Sequence, residues 1–198
     1  MNTKPAPEAN PWILAAPDQN EITPLPALPP QHLPAIPAGI SAPAASQLLP
    51  TRHRHHPARV WWVGAHGGAG ESTFAALHAH DAPADHAWPI TAAAEPPTVV
   101  VIARTHHDGL IAAQRAARHW ASGALPSVNL LGVVLAADAP GRLPKPLRTL
   151  AAIVSGGYPR AWEIPWVPSW RFGATVPTDR MPSPLLTLQR DLHELTKT

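Results

Sequence analysis

Apolar positions run unevenly along this chain. Up to residue 57 isoleucine, leucine and alanine are scattered among prolines with no period (ITPLPALPPQHLPAIPAGI), so neither a helical stripe nor strand alternation develops. From Arg59 the text changes to short apolar runs alternating with helix-length segments. RVWWVG (59–64) reads as a buried strand and ESTFAALHA (71–79) as the helix after it. TVVVIA (98–103) is the clearest strand, because an unbroken β-branched and aliphatic run suits a sheet covered on both faces. A helix is expected over 109–122, with Leu110, Ala113, Ala117 and Trp120 on one stripe and Arg115 and Arg118 away from it. NLLGVVLA (129–136) is the third strand. KPLRTLAAIVSGG (145–157) is a helix with proline in its first turn and glycine at its end, and AWEIPW (161–166) is a fourth strand. Leu185, Leu188, Leu192 and Leu195 mark a last amphipathic helix over 184–197, too short for a coiled coil and expected to dock on the domain.

The order β-α-β-α-β-α-β, with crossovers long enough for one helix each, requires parallel strands and right-handed connections. The fold class is therefore α/β: three layers, α/β/α, around a small parallel sheet of about four strands. Three regions follow: a Pro/Ala-rich arm over 1–57, the α/β domain over 58–172, and a tail over 173–198 carrying the last helix. Composition sharpens the first boundary, since 13 of the 27 prolines fall in the first 57 residues. Such a density favours extended, unpacked chain, so the arm is expected to be disordered. It ends in RHRHHPAR (52–59), read as a solvated basic hinge.

Charge and cysteine content exclude more than they suggest. A net charge of +2 gives no general nucleic-acid footprint beyond the hinge at 52–59. With no cysteine there is no disulfide, thiolate nucleophile or cysteine-ligated zinc. The opening residues lack a basic segment followed by an uninterrupted apolar run, and no apolar run approaches about 18 residues. A cytoplasmic protein that does not insert in membranes is the expectation.

The chemistry concentrates in VWWVGAHGGAGESTFAAL, residues 60–77, where a glycine-rich turn joins a strand to a helix. Bare amides and the helix dipole make that junction a phosphate cradle. Against the pattern G-x-x-x-x-G-K-[ST] the window is Ala65-His66-Gly67-Gly68-Ala69-Gly70-Glu71-Ser72, followed by Thr73. HGGAGEST thus resembles the KGGxGK[ST]T loop of the ParA/MinD family of P-loop ATPases. His66 stands at that family's signature lysine, Glu71 at its Walker lysine and Ser72 at its magnesium-binding hydroxyl. TVVVIARTHHDGLIAAQRA, LLGVVLAADAP and WEIPWVPSW resemble its later strands more weakly. The loop is also similar to that of an actinobacterial family with a GAHGGAGEST loop, to which no activity is attached.

The resemblance implies a P-loop NTPase-like fold and the loop 66–73 as nucleotide-binding residues. Two departures argue against ordinary ATPase chemistry. Replacing lysine by Glu71 turns an attraction worth about 4 kcal/mol at about 4 Å into a repulsion, so ATP with magnesium binds weakly at best. The strand expected to carry a Walker B aspartate ends in Ala103-Arg104. Glu71 instead suits the dipole of its helix, where the carboxylate would stand in for the phosphate. The region from His80 to Pro97 looks too short for the family's two further strands, which would leave 59–64 on an open edge. That edge is expected to pair with the arm, a second copy of the chain or a protein partner.

Ligands of parallel sheets gather beyond the strands' carboxyl ends. Arg104, His106, His107, Asp108, Asp138 and Trp166 are the candidate crevice residues there. His66, Glu71, His106, His107 and Asp108 have the donor atoms for a divalent metal, but no pair has a diagnostic spacing. They read as polar loop residues capping the next helix, with Asp108 as the cap. The principal expectation is a non-hydrolysing or weakly active ParA/MinD-like protein, a binding or scaffold module by analogy in plasmid or chromosome maintenance. The alternatives are an ATPase with altered Walker chemistry and a metal-dependent hydrolase in the same crevice.

Overall fold

A computed structural model describes residues 39–125, 128–173 and 181–197. The arm assigned to 1–57 lies outside the described residues up to 38, as does most of the tail segment before 181. The described chain is mixed α/β with parallel sheets. In chain order it contains β1 (Thr51–Arg54), β2 (Trp61–Gly64), α1 (Glu71–Ala75), β3 (Ala82–Pro83), β4 (Trp88–Thr91) and β5 (Thr98–Arg104). Then come α2 (His107–Ala121), β6 (Asn129–Ala136), α3 (Lys145–Ser155), β7 (Ala161–Ile164) and α4 (Ser183–Leu195), with short 3-10 turns at 45–47 and 168–172. The main sheet has the order β3-β2-β5-β6-β7, and β1 pairs with β4 in a separate two-stranded parallel sheet.

Strand alternation divides the core in two. Trp61, Val63, Val99, Val101, Val133 and Leu135 point to one face, where α2 and α3 bury Leu110, Ala113, Ala151 and Val154 against them. Trp62, Val100, Ile102 and Val134 point to the other, under Phe74 of α1 and Leu185, Leu188 and Leu192 of α4. The adjacent tryptophans of β2 are each 1% exposed, one in each core. The leucine stripe of α4 docks on the domain, and the indole of Trp162 donates to Asp191 of that helix at 3.0 Å.

Two expectations are corrected. Strand β2 is not an open edge, because β3 pairs with it on one side and β5 on the other. Ala82 N donates to Val60 O at 3.0 Å and Ala84 N to Trp62 O at 2.8 Å. A two-residue strand thus satisfies the backbone that seemed exposed, and Pro83, which has no N–H to offer, is tolerated there because β3 is itself at the edge. Self-association or partner pairing through 59–64 is therefore closed to this fold. The basic hinge is also not simply solvated. Thr51–Arg54 is a strand in register with Trp88–Thr91, Arg52 and Arg54 both reach Asp85 at 3.2 and 2.9 Å, and the Arg54 guanidinium lies 5.2 Å from the Trp61 ring. Arg59 grips Asp81 through Nε and a terminal nitrogen at 2.9 and 3.0 Å. All three arginines of 52–59 have acidic partners.

Candidate functional site

The loop between β2 and α1 begins on Gly64, the last residue of the strand. Gly68 and Gly70 take φ of 75° and 117°, which lets the chain turn into α1 with Gly70 as its N-cap residue. Glu71 opens the helix and is 6% exposed. Its side chain turns back: Oε1 accepts from Gly64 N at 2.6 Å and from His86 N at 3.0 Å, and Oε2 lies 3.2 Å from His86 Nδ1. The carboxylate is thus received by the amides of Gly64, at the end of β2, and of His86, not by those of residues 66–70. This corrects the expectation that it fills the phosphate's place within the loop. Gly64 is required by the same contact, because a Cβ there would come within 2.6 Å of His86 Nδ1 and 2.9 Å of the Glu71 carboxyl carbon.

His86 reaches this position through an uncommon turn. Asp85 and His86 are consecutive non-glycine residues with φ of 50° and 52°, a conformation that costs energy and persists where its surroundings enforce it. They do so from both sides. Arg54 bonds Ala84 O, Arg52 and Arg54 hold Asp85, and Glu71 holds His86. The Arg54 hydrogen bond is the first cause that keeps the Asp85 carboxyl below its ordinary range.

His66 joins a second cluster. Its Nε2 accepts from Arg104 N at 3.1 Å, which places the ring proton on Nδ1 facing Gly67 O at 2.8 Å. Burial lowers its pKa from the usual 6.5, as do the neighbouring His106, His86 and Arg104, so the neutral ring is the fitting form. The His106 ring packs edge-on at 5.0 Å, and its Nδ1 accepts from Gly109 N at 3.1 Å. His106, rather than Asp108, is therefore the cap of α2. Asp108 stands in the first turn with its side chain 92% exposed, bonded to His107. The hydrogen bond from His107 holds its carboxyl below the ordinary range.

Beyond β5 and β6, the Thr105 hydroxyl donates to Asp138 Oδ1 at 2.9 Å and accepts from Asp138 N at 3.3 Å. Arg104 donates to Ala137 O at 2.9 Å; burial lowers its pKa, with Asp138 opposing the shift. Thr105, Ala137 and Asp138 border a cleft of about 460 Å³ at the carboxyl ends of β6 and β7. Trp166 is half-buried with Arg171 over its ring at 5.8 Å and is not among the walls of that cleft.

The candidate residues thus separate into three groups: Glu71 with Gly64 and His86; His66 with Arg104 and His106; Asp138 with Thr105. His107, Asp108 and Ser72 face solvent. Gly67 and Gly68 form the exposed crest of the loop, while Ala69 is buried in the core and Thr73 partly covered. No three metal-binding side chains converge among the described residues. Sequence reasoning missed Gly64 and His86. For Gly64 a signal existed, a glycine ending an otherwise bulky strand; for His86 no pattern pointed to it.

The model of a family of unknown function, DUF6668, matches residues 58–183. The chain belongs to this family. The match takes in every element from β2 to the start of α4, and so all three polar groups. No curated protein and no solved structure matches the chain. Among the described residues no helix is long and apolar enough to cross a membrane.

Proposed function

We propose that this DUF6668 protein is a degenerate ParA/MinD-like P-loop fold, a three-layer α/β/α domain that acts as a binding or scaffold module and does not hydrolyse nucleotide. By analogy with that family, its setting is plasmid or chromosome maintenance. One observation carries the reading: the residue at the Walker lysine position is a buried carboxylate committed to Gly64 N and His86 N. A P-loop ATPase needs a cation there to hold the β- and γ-phosphates and a carboxylate at the end of the following strand to hold magnesium. Here the first is an anion used for internal bonding, and the second position ends in Ala103-Arg104. Glu71 joins the loop to the turn at 84–87, a structural use of the residue that catalysis would need free.

Calorimetry with ATP and ADP in the presence of magnesium tests the proposal. The wild type should show no binding in the micromolar range, and micromolar affinity or magnesium-dependent phosphate release would overturn it. Binding gained in Glu71→Lys, with the fold checked by circular dichroism, would support the loop's ancestry.

A further inference from the structure

The cleft beside Asp138 is not explained by the scaffold reading and lies away from the glycine loop. Its floor and sides are apolar, with Leu135 of β6, Ile164 of β7, and Leu147 and Ala151 of α3 among its walls. Four prolines, at 140, 144, 165 and 184, complete the rim. Proline fixes φ, so such walls lose little freedom on binding and the cleft is largely formed in advance. Its volume of about 460 Å³ lies in the range of small-molecule sites.

Charges of both signs stand in this apolar setting. Glu163 lies opposite Leu135 in the β6–β7 register. It is exposed, whereas its neighbours Trp162 and Ile164 are buried in the other core. Arg142 comes from the loop before α3. Neither is in an ion pair among the described residues. Asp138 is held by Thr105 through one carboxylate oxygen, and the other accepts no hydrogen bond among the described residues. The N-terminus of α3 abuts the same cleft through Pro144 and Leu147, with no side chain capping it and no acidic residue in its first turn. Arg142 and that helix end favour an anionic group, and Glu163 with Asp138 favours a cationic one. A ligand of single charge would meet a like charge in the cleft, whereas a zwitterion answers both.

We propose that this cleft binds a small zwitterion with an apolar body, an apolar α-amino acid. Its carboxylate meets Arg142, its ammonium meets Glu163 and that second carboxylate oxygen of Asp138, and its side chain covers Leu135, Leu147 and Ile164. Three probes sharing one ring separate the contributions: L-phenylalanine, phenethylamine, which lacks the carboxylate, and 3-phenylpropionate, which lacks the ammonium. Titration of the full chain, followed by calorimetry or by amide chemical shifts of residues 138–147, should show L-phenylalanine binding at least 10-fold tighter than either analogue. Arg142→Gln and Glu163→Gln, both exposed positions, should each weaken it about 5-fold or more, while Arg148→Gln, outside the cleft, should leave it unchanged. Equal affinity for all three probes, tighter binding of adenosine than of L-phenylalanine, or no shift at 138–147 at millimolar probe would overturn the proposal.

Discussion

Glu71 Oε1 accepts a hydrogen bond from Gly64 N at 2.6 Å, so that the first residue of α1 closes a ring with the last residue of β2. The same oxygen accepts from His86 N at 3.0 Å, and one buried carboxylate therefore fastens strand, loop and turn together. Hydrogen bonds to a charged group contribute about 1.5–3 kcal/mol each, and a buried donor left without a partner costs about 1–3 kcal/mol. Glu71→Ala should lower stability by about 3 kcal/mol in urea denaturation, whereas Glu71→Gln, which keeps an acceptor oxygen, should lose about half of that. Equal losses would mean that packing, not the carboxylate, holds the loop.

Asp81 receives three donors: two from Arg59 and the Trp62 indole at 3.1 Å. Its side chain is 2% exposed and that of Arg59 18%. Removing one member of a buried pair leaves the other uncompensated, at a cost of about 3–5 kcal/mol. Asp81→Ala should therefore destabilise more than the double variant Asp81→Ala/Arg59→Met, a non-additivity that a double-mutant cycle measures directly.

Acid should weaken the fold through two histidines, the buried His119 and the half-buried His66. Burial lowers the pKa of His66 and of His119 from the usual 6.5, and His119 Nδ1 is buried with no partner among the described residues. As pH falls through 6.5 the unfolded chain takes up protons before the folded one, so stability is full above about pH 7 and declines below it. The loss levels off once the folded-state pKa is passed. Denaturation midpoints should fall between pH 7.5 and 5, and His119→Leu should flatten the curve. A profile unchanged by that substitution would assign the effect to His66 alone.

Among the described residues, four of the strands and all four helices were legible because their apolar periods are strong. Strands β1, β3 and β4 were not: Thr51–Arg54 has no apolar residue, Ala82–Pro83 and Trp88–Thr91 each contain a proline, and the pairing of all three is decided by partners more than twenty residues away. The loop 66–73 was likewise readable as a strand-to-helix glycine turn, and Glu71 as its departure. The carboxylate's destination was not, because His86 reaches it from a left-handed turn that no local pattern announces. The cap of α2 fell to His106 rather than Asp108, since a side chain must precede the first helical residue to accept the Gly109 amide.

The turn at 84–87 provides a last test. Among the described residues strand β1 pairs only with β4, and Arg52 and Arg54 hold Asp85 from the outside. Strand β2, by contrast, keeps β3 and β5 whatever precedes residue 59. In a chain beginning at Ala58, hydrogen exchange should leave the amides of 61–63 as protected as in the full chain. Trp88 N, whose acceptor is Pro50 O at 2.8 Å, should exchange at least 10-fold faster, as should the other amides of β4 that β1 receives. The His86 amide should stay partly protected through Glu71. Loss of protection at 61–63 would show that the segment before 58 supports the main sheet, and unchanged protection at Trp88 would show that β4 holds its place without β1.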